Sequence, residues 1–190
     1  GDWSSDVCSS DLIRPLAEVL EDLEAARSQY RRIEKVFLAD GDALVLPNAS
    51  LLAVLGRIRG LFPECRRVGI YGSPGDVLRK TPAELQELRD AGLGIVYIGA
   101  ESGSDRILEA VRKGATAAEL VDAVRRLEDN GLPASVTFIS GLGGQDHWEE
   151  HAIESGRMIS RMSPSYVGLL TLMVEPGTQL YDDVRSGRFQ

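Results

Sequence analysis

Apolar positions along the chain fall into two alternating rhythms. From Ile13, the residues Leu16, Val19, Leu20, Leu23, Ala26 and Tyr30 recur at helical spacing, with Pro15 tolerated in the first turn, and they predict an opening helix. Lys35 to Ala39 (KVFLA) is a short β-branched and aromatic run that ends in a turn cluster, so it predicts a strand. Ser50 can cap a helix running to about Leu61, and Arg67 to Tyr71 (RVGIY) predicts the second strand. Thr81-Pro82-Ala83-Glu84 is a capping box with proline at the first helical position, and Gly92 marks where that helix stops.

Leu93 to Ile98 predicts the third strand, and a short helix follows over Asp105 to Arg112. Thr116-Ala117-Ala118-Glu119 is a second capping box, its helix ending at Asn130-Gly131. Ala134 to Ile139 predicts the fourth strand. Asp146 can cap a helix to about Met162, Tyr166 to Met173 predicts the fifth strand, and Gln179 to Arg185 a last helix. Strands alternating with amphipathic helices mean βαβ units and a mainly parallel sheet, and the near-continuous apolar strands predict that both sheet faces are covered. The opening helix has no strand before it. The pattern therefore reads as an α/β fold, a partial (βα)6 TIM-like barrel lacking its first strand.

Residues 1–12 follow neither rhythm. Asp2 to Leu12 matches, residue for residue, the translation of a common short-read sequencing adapter, and it lacks the basic start and apolar core of a signal peptide. The expected division is a non-native adapter-like segment over 1–12 and one partial barrel domain over 13–190. This changes the charge arithmetic. The full sequence has 190 residues and a net charge of −8, whereas residues 13–190 are 178 residues carrying 21 bases and 26 acids, a net of −5. An acidic balance argues against a general nucleic-acid binder. No apolar run approaches the ~20 residues of a membrane span, so a cytoplasmic protein is expected. Of two cysteines, Cys8 and Cys65, only the second lies outside the adapter-like segment. Two thiols cannot build a disulfide framework or a four-thiolate metal site.

In parallel α/β folds ligands bind beyond the carboxyl ends of the strands. All five predicted strands end in polar or glycine-rich clusters: Asp40-Gly41-Asp42, Tyr71-Gly72-Ser73-Pro74, Glu101-Ser102-Gly103-Ser104, Gly141-Leu142-Gly143-Gly144 and Glu175-Pro176-Gly177-Thr178. Turning alone explains one such loop; five on one edge point to a ligand site.

These motifs, ADGDAL, YGSP, GAESGS, GLGG with a following Trp and His, and LMVEPGTQLYDDVRSG, resemble the radical S-adenosylmethionine superfamily, in the branch of the oxygen-independent coproporphyrinogen oxidases and methylthiotransferases. The resemblance covers Phe37 to Phe189. It implies S-adenosylmethionine (SAM) and a [4Fe-4S] cluster as cofactors of the intact enzyme, reductive cleavage of SAM to a 5′-deoxyadenosyl radical, hydrogen abstraction from a substrate, and an electron donor such as flavodoxin or ferredoxin. In that family the cluster cysteines follow the first strand as C-x-x-x-C-x-x-C, a triplet this sequence lacks. The expectation is thus a chain truncated just downstream of the cluster loop, holding no cluster and inactive alone.

The resemblance places Asp40, Gly41 and Asp42 at the methionyl ammonium of SAM. Glu101 and Ser102 fall at its ribose or amino group, Gly141, Leu142 and Gly143 along the adenine, Leu172 and Met173 beside the adenine face, and Tyr71 and Ser73 in the pocket wall. Lys113 is a candidate for the cofactor carboxylate or a solvated surface residue. Plainer roles stand beside these. Asp40 and Asp42 can form an Asx-turn, Glu101 can cap the following helix, and Cys65 can be a half-buried small side chain. His147-Trp148-Glu149-Glu150-His151 matches the H-x-x-E-H zinc pattern but lacks a third ligand. Two other readings remain: a non-radical βα module binding a nucleotide or cobamide, and an inert fragment whose exposed strand edge leads to aggregation.

Overall fold

The computed structural model of the chain describes residues 13–39 and 41–189. The adapter-like segment and the site role of Asp40 lie outside the described residues. Five strands form one sheet in the order β1-β2-β3-β4-β5, every neighbouring pair parallel: β1 Lys35–Leu38, β2 Arg67–Tyr71, β3 Leu93–Glu101, β4 Ala134–Ser140 and β5 Tyr166–Thr171. Helices α1 Leu16–Gln29, α2 Asn48–Leu61, α3 Pro74–Arg79, α4 Pro82–Ala91, α5 Asp105–Ala110, α6 Ala117–Asp129, α7 Trp148–Met162 and α8 Gln179–Arg185 separate and flank them.

The helix limits follow local chemistry. Both capping boxes form: Thr81 and Glu84 open α4, Thr116 and Glu119 open α6, and each pair satisfies two otherwise unpaired N–H groups. Gly92 closes α4 with a left-handed φ of 113°. The pattern of the sequence does not predict α3, yet Ser73 caps it through the Asp76 amide with Pro74 in its first turn. Two predicted caps move. Helix α2 starts at Asn48 after Pro47, ahead of Ser50, and α7 starts at Trp148 after His147, beyond Asp146.

Register assigns the two sheet faces. Phe37 lies beside Gly69, Tyr71 beside Tyr97, Tyr97 beside Ser135 and Ser135 beside Tyr166, so these share one face. The opposite face carries Val68, Ile70, Val96, Ile98, Ala134, Val136 and Phe138. It is buried in a single core with Leu51, Leu55 and Ile58 of α2, Leu85 and Leu88 of α4, Leu120, Val124 and Leu127 of α6, and Met158 and Met162 of α7. Burying such side chains supplies the main drive to fold. The expectation of a sheet covered on both faces is therefore corrected. Strand β4 alternates buried Ala134, Val136 and Phe138 with half-exposed Ser135, Thr137 and Ile139, and the face bearing Ser135 and Thr137 stays open. At the sheet edge, β5 exposes Leu169 and Leu170. No described helix is long and apolar enough to cross a membrane.

Candidate functional site

Because all five strands run the same way, the loops after them meet at one edge of the sheet. At the β1 end, Asp42 caps a 3-10 turn over Ala43–Val45 by accepting from the Leu44 amide, which makes the Asx-type turn. Its other oxygen accepts from the Ser73 amide at 2.6 Å, tying the β1 loop to the β2 loop. Ser73 Oγ donates to Asp76 Oδ2 at 2.5 Å, and the Arg79 guanidinium also pairs with Asp76. Burial first, then the shared hydrogen bond with Asp76, pushes the Asp42 carboxyl up to about 6. Burial also opposes ionisation of Asp76, but hydrogen bonds from Asp42, Ser73 and Arg79 outweigh it and hold that carboxyl below its ordinary value. Gly41 is exposed beside this pair, with φ of 64°.

On the open face, Tyr71 meets Phe37 edge to face at 4.7 Å between ring centres, and Tyr97 joins the same cluster. Aromatic edges pack against faces because their quadrupoles attract that way. Tyr71 thus forms part of a wall, half exposed, as Gly69 makes room for the Phe37 ring.

Strand β3 ends in a strained residue. Glu101 has φ of 65°, and its carboxylate lies back over Gly99, where a Cβ would stand 2.3 Å from Glu101 Oε1. Lys113 Nζ donates to the same oxygen at 3.0 Å, both side chains being about one-fifth exposed. That bond leaves the other carboxylate oxygen able to accept from a ligand. Ser104, not Glu101, caps the helix that follows.

Ser102 is expected at the cofactor but is fully buried. His151 Nε2 faces the Ile139 carbonyl at 3.0 Å, so that nitrogen carries the proton. His151 Nδ1 then accepts from Ser102 Oγ at 2.8 Å, and Ser102 Oγ accepts from the Ser104 amide. Both ring nitrogens of His151 and the Ser102 hydroxyl proton are thus used internally. The same bonds remove His151 from the H-x-x-E-H zinc reading, and among the described residues no group of three or more His, Cys, Asp or Glu is arranged to hold a metal.

After β4, Gly141 is exposed in the left-handed region, while Leu142 and Gly143 are buried. Gly143 is where a Cβ would stand 2.6 Å from the His147 carbonyl oxygen, so it permits the loop to pass against the start of α7. Leu172 extends the pairing by donating its amide to the Ser140 carbonyl, and Met173 is 74% exposed beyond it. A cleft of about 340 Å³ lies beside this loop, bordered by Arg106 and Val111 of the α5 region, Leu142, and Leu180 of α8.

A family model described as Radical SAM superfamily matches residues 8–155. The chain belongs to the radical SAM superfamily. It is 32% identical over 167 residues to an uncharacterized methyltransferase, PH0819, of Pyrococcus horikoshii, covering 86% of this chain and 34% of that protein. Coproporphyrinogen III oxidase (HemN) from Escherichia coli, a radical SAM enzyme, superposes with a TM-score of 0.68 at 14% identity, over 85% of this chain and 37% of that one. The radical SAM methyltransferase TsrM from Kitasatospora setae, with cobalamin and a [4Fe-4S] cluster bound, superposes with a TM-score of 0.59 at 19% identity, over 83% and 31%. The chain thus spans about a third of the length of these relatives, and the two solved structures establish the shared barrel fold.

The radical SAM cofactors fit this chain unequally. A cluster held by three thiolates needs three cysteines, and the sequence has two. Cys65 is a free, half-buried thiol just before β2, at the amino end of the strands and opposite the loop edge. The cysteines present therefore do not fit the cluster. For SAM the donor set is present: a carboxylate at Glu101, an ammonium at Lys113 and an aromatic wall at Tyr71 face one edge.

The structure brings Gly41, Asp42, Tyr71, Ser73, Glu101 and Gly141 to this edge, withdraws Ser102 and Gly143 into packing, and leaves the buried Leu142 at the border of the cleft. It adds Glu150, His151 and Ser155, which hold the β3 loop. His151 and Ser155 stand in the buried stripe of α7 with Met158 and Met162, so two polar residues at i, i+4 interrupt an apolar face, a signal present in the sequence.

Proposed function

We propose that the loop edge and open sheet face of this chain bind S-adenosylmethionine as the cofactor-holding part of a radical SAM enzyme. The Glu101 carboxylate carries the reading. It is held on a strained backbone at the end of a parallel strand, with an acceptor oxygen uncommitted among the described residues and a cation beside it, and strain of this kind concentrates at ligand clamps. In this reading Glu101 accepts from the ribose or amino group and Tyr71 flanks the ligand. Asp42 braces the β1 and β2 loops, and the exposed Met173 borders the adenine. Reductive cleavage of SAM to a 5′-deoxyadenosyl radical is the chemistry the cluster supplies in this family, and the two cysteines here do not carry it.

Anaerobic NMR titration of the labelled chain tests the reading. Added SAM is expected to shift Gly41, Tyr71, Glu101, Gly141 and Met173. No shifts, or shifts of these residues with ATP or cobalamin but not with SAM, would overturn it in favour of a non-radical binding module.

A further inference from the structure

The three residues after Glu101 are each tied to α7. Ser102 Oγ donates to His151 Nδ1, the Gly103 amide donates to Ser155 Oγ at 2.9 Å, and Ser104 Oγ donates to Glu150 Oε1 at 2.5 Å. Gly103 also lies flat on the helix: a Cβ there would stand 2.3 Å from the backbone of Glu154. Glu101 itself holds φ of 65°, where an L side chain crowds its own carbonyl, and such a conformation persists only when its surroundings fix it from several sides.

His151 holds more than one loop. The residue is 8% exposed, and its ring reaches from the hydroxyl after β3 to the last-but-one carbonyl of β4, Ile139. One imidazole thereby ties the Glu101 loop to the end of β4. With Nε2–H committed to a carbonyl and Nδ1 to a hydroxyl, it adds a side-chain bridge just past the point where the β3–β4 pairing ends at Glu101 and Phe138.

We infer that His151 is the positioning residue for the Glu101 carboxylate, acting through Ser102 to keep residue 101 left-handed with its side chain over Gly99 and beside Lys113. This role in SAM binding rests on the reading of Glu101 given above. A merely structural histidine would lower stability without touching the carboxylate specifically.

The test uses the full chain labelled with ¹³C and ¹⁵N, with His151→Leu and the milder Ser102→Ala. In both variants the Cα and Cβ shifts of residue 101 are expected to leave their left-handed values. The SAM dissociation constant should rise about tenfold, as for loss of one hydrogen bond to a charged group. In a Glu101→Gln background the same substitutions should change it by less than about twofold. If His151→Leu does not fold, Ser102→Ala decides. Unmoved residue-101 shifts, or an equal loss of affinity in the Glu101→Gln background, would overturn the inference. If the unmodified chain binds no SAM, the cofactor reading fails by itself, and the residue-101 shifts alone judge the positioning role.

Discussion

The Ser73 amide donates to Asp42 at 2.6 Å while the Ser73 hydroxyl donates to Asp76, so one serine stands between a carboxylate of the β1 loop and one in the first turn of α3. The pair divides its proton unevenly. Asp42 is raised from 3.8 to about 6 and Asp76 is lowered. A group that binds its proton more tightly when folded adds stability that is complete below the unfolded value and fades as pH rises through the folded value. Asp42 therefore stabilises the fold most below about 3.8 and loses that contribution by about pH 6. The lowered carboxyls of Asp76, Glu64, Glu84 and Glu119 act the other way, and their contributions are already complete above about 4.5. Between about 4.5 and 6 the Asp42 slope stands clear of them. Urea unfolding across that window should show stability falling with pH in the unmodified chain and a flatter profile in Asp42→Asn. A slope unchanged by the substitution would refute the assignment.

The Glu101–Lys113 pair yields a prediction about affinity. Removing the carboxylate charge in Glu101→Gln should weaken SAM binding roughly tenfold, while Lys113→Met should weaken it less, since the amine orients the carboxylate from 3.0 Å. Calorimetry under argon would measure both. A larger loss at Lys113 than at Glu101 would mean that the amine meets the cofactor directly.

How far the sequence exposes this site depends on what each residue's role requires. Capping boxes at Thr81 and Thr116 are local, and both form as written. The parallel order of the strands follows from their alternation with helices, and with it the single edge where the loops gather. Gly143 and Ser102 both look like ligand residues because they sit in loop motifs, yet Gly143 packs on His147 and His151, four and eight residues on, and Ser102 bonds to His151 of α7, 49 residues further along the chain. Such long-range docking leaves no local trace. The open sheet face was likewise hidden, because glycine, serine and threonine at Gly99, Ser135 and Thr137 interrupt the apolar strands too gently to separate a half-exposed face from a buried one.

Anaerobic reconstitution with iron and sulfide should give no stoichiometric cluster on this chain. It has two cysteines against the three thiolates required, and Cys65 lies at the amino end of the strands. Four irons per chain with the visible absorption and paramagnetic signal of a reduced cluster would contradict this.

Two glycines at α7 should respond to the same substitution with opposite signs. Gly103 touches the helix from outside, and a methyl group there would overlap the carbonyl carbon and oxygen of Glu154 and the amide of Ser155 at 2.3–2.4 Å. Those atoms belong to a helix backbone, which cannot turn aside as a side chain could. The helix must move off the β3 loop, stretching the bonds from Ser102 and Ser104 as it goes. Gly103→Ala should therefore cost about 1–3 kcal/mol, the usual range for forcing volume into a packed site. Gly156 lies within α7 with nothing inside 4 Å of its Cβ position and no positive φ. There alanine only removes the entropy penalty of glycine in a helix, and Gly156→Ala should stabilise by about 0.5–1 kcal/mol. Denaturant midpoints of the two variants would test the pair. If Gly103→Ala proves neutral, α7 does not dock against the β3 loop as closely as its backbone contacts require. The positioning of Glu101 through His151 would then lose its frame.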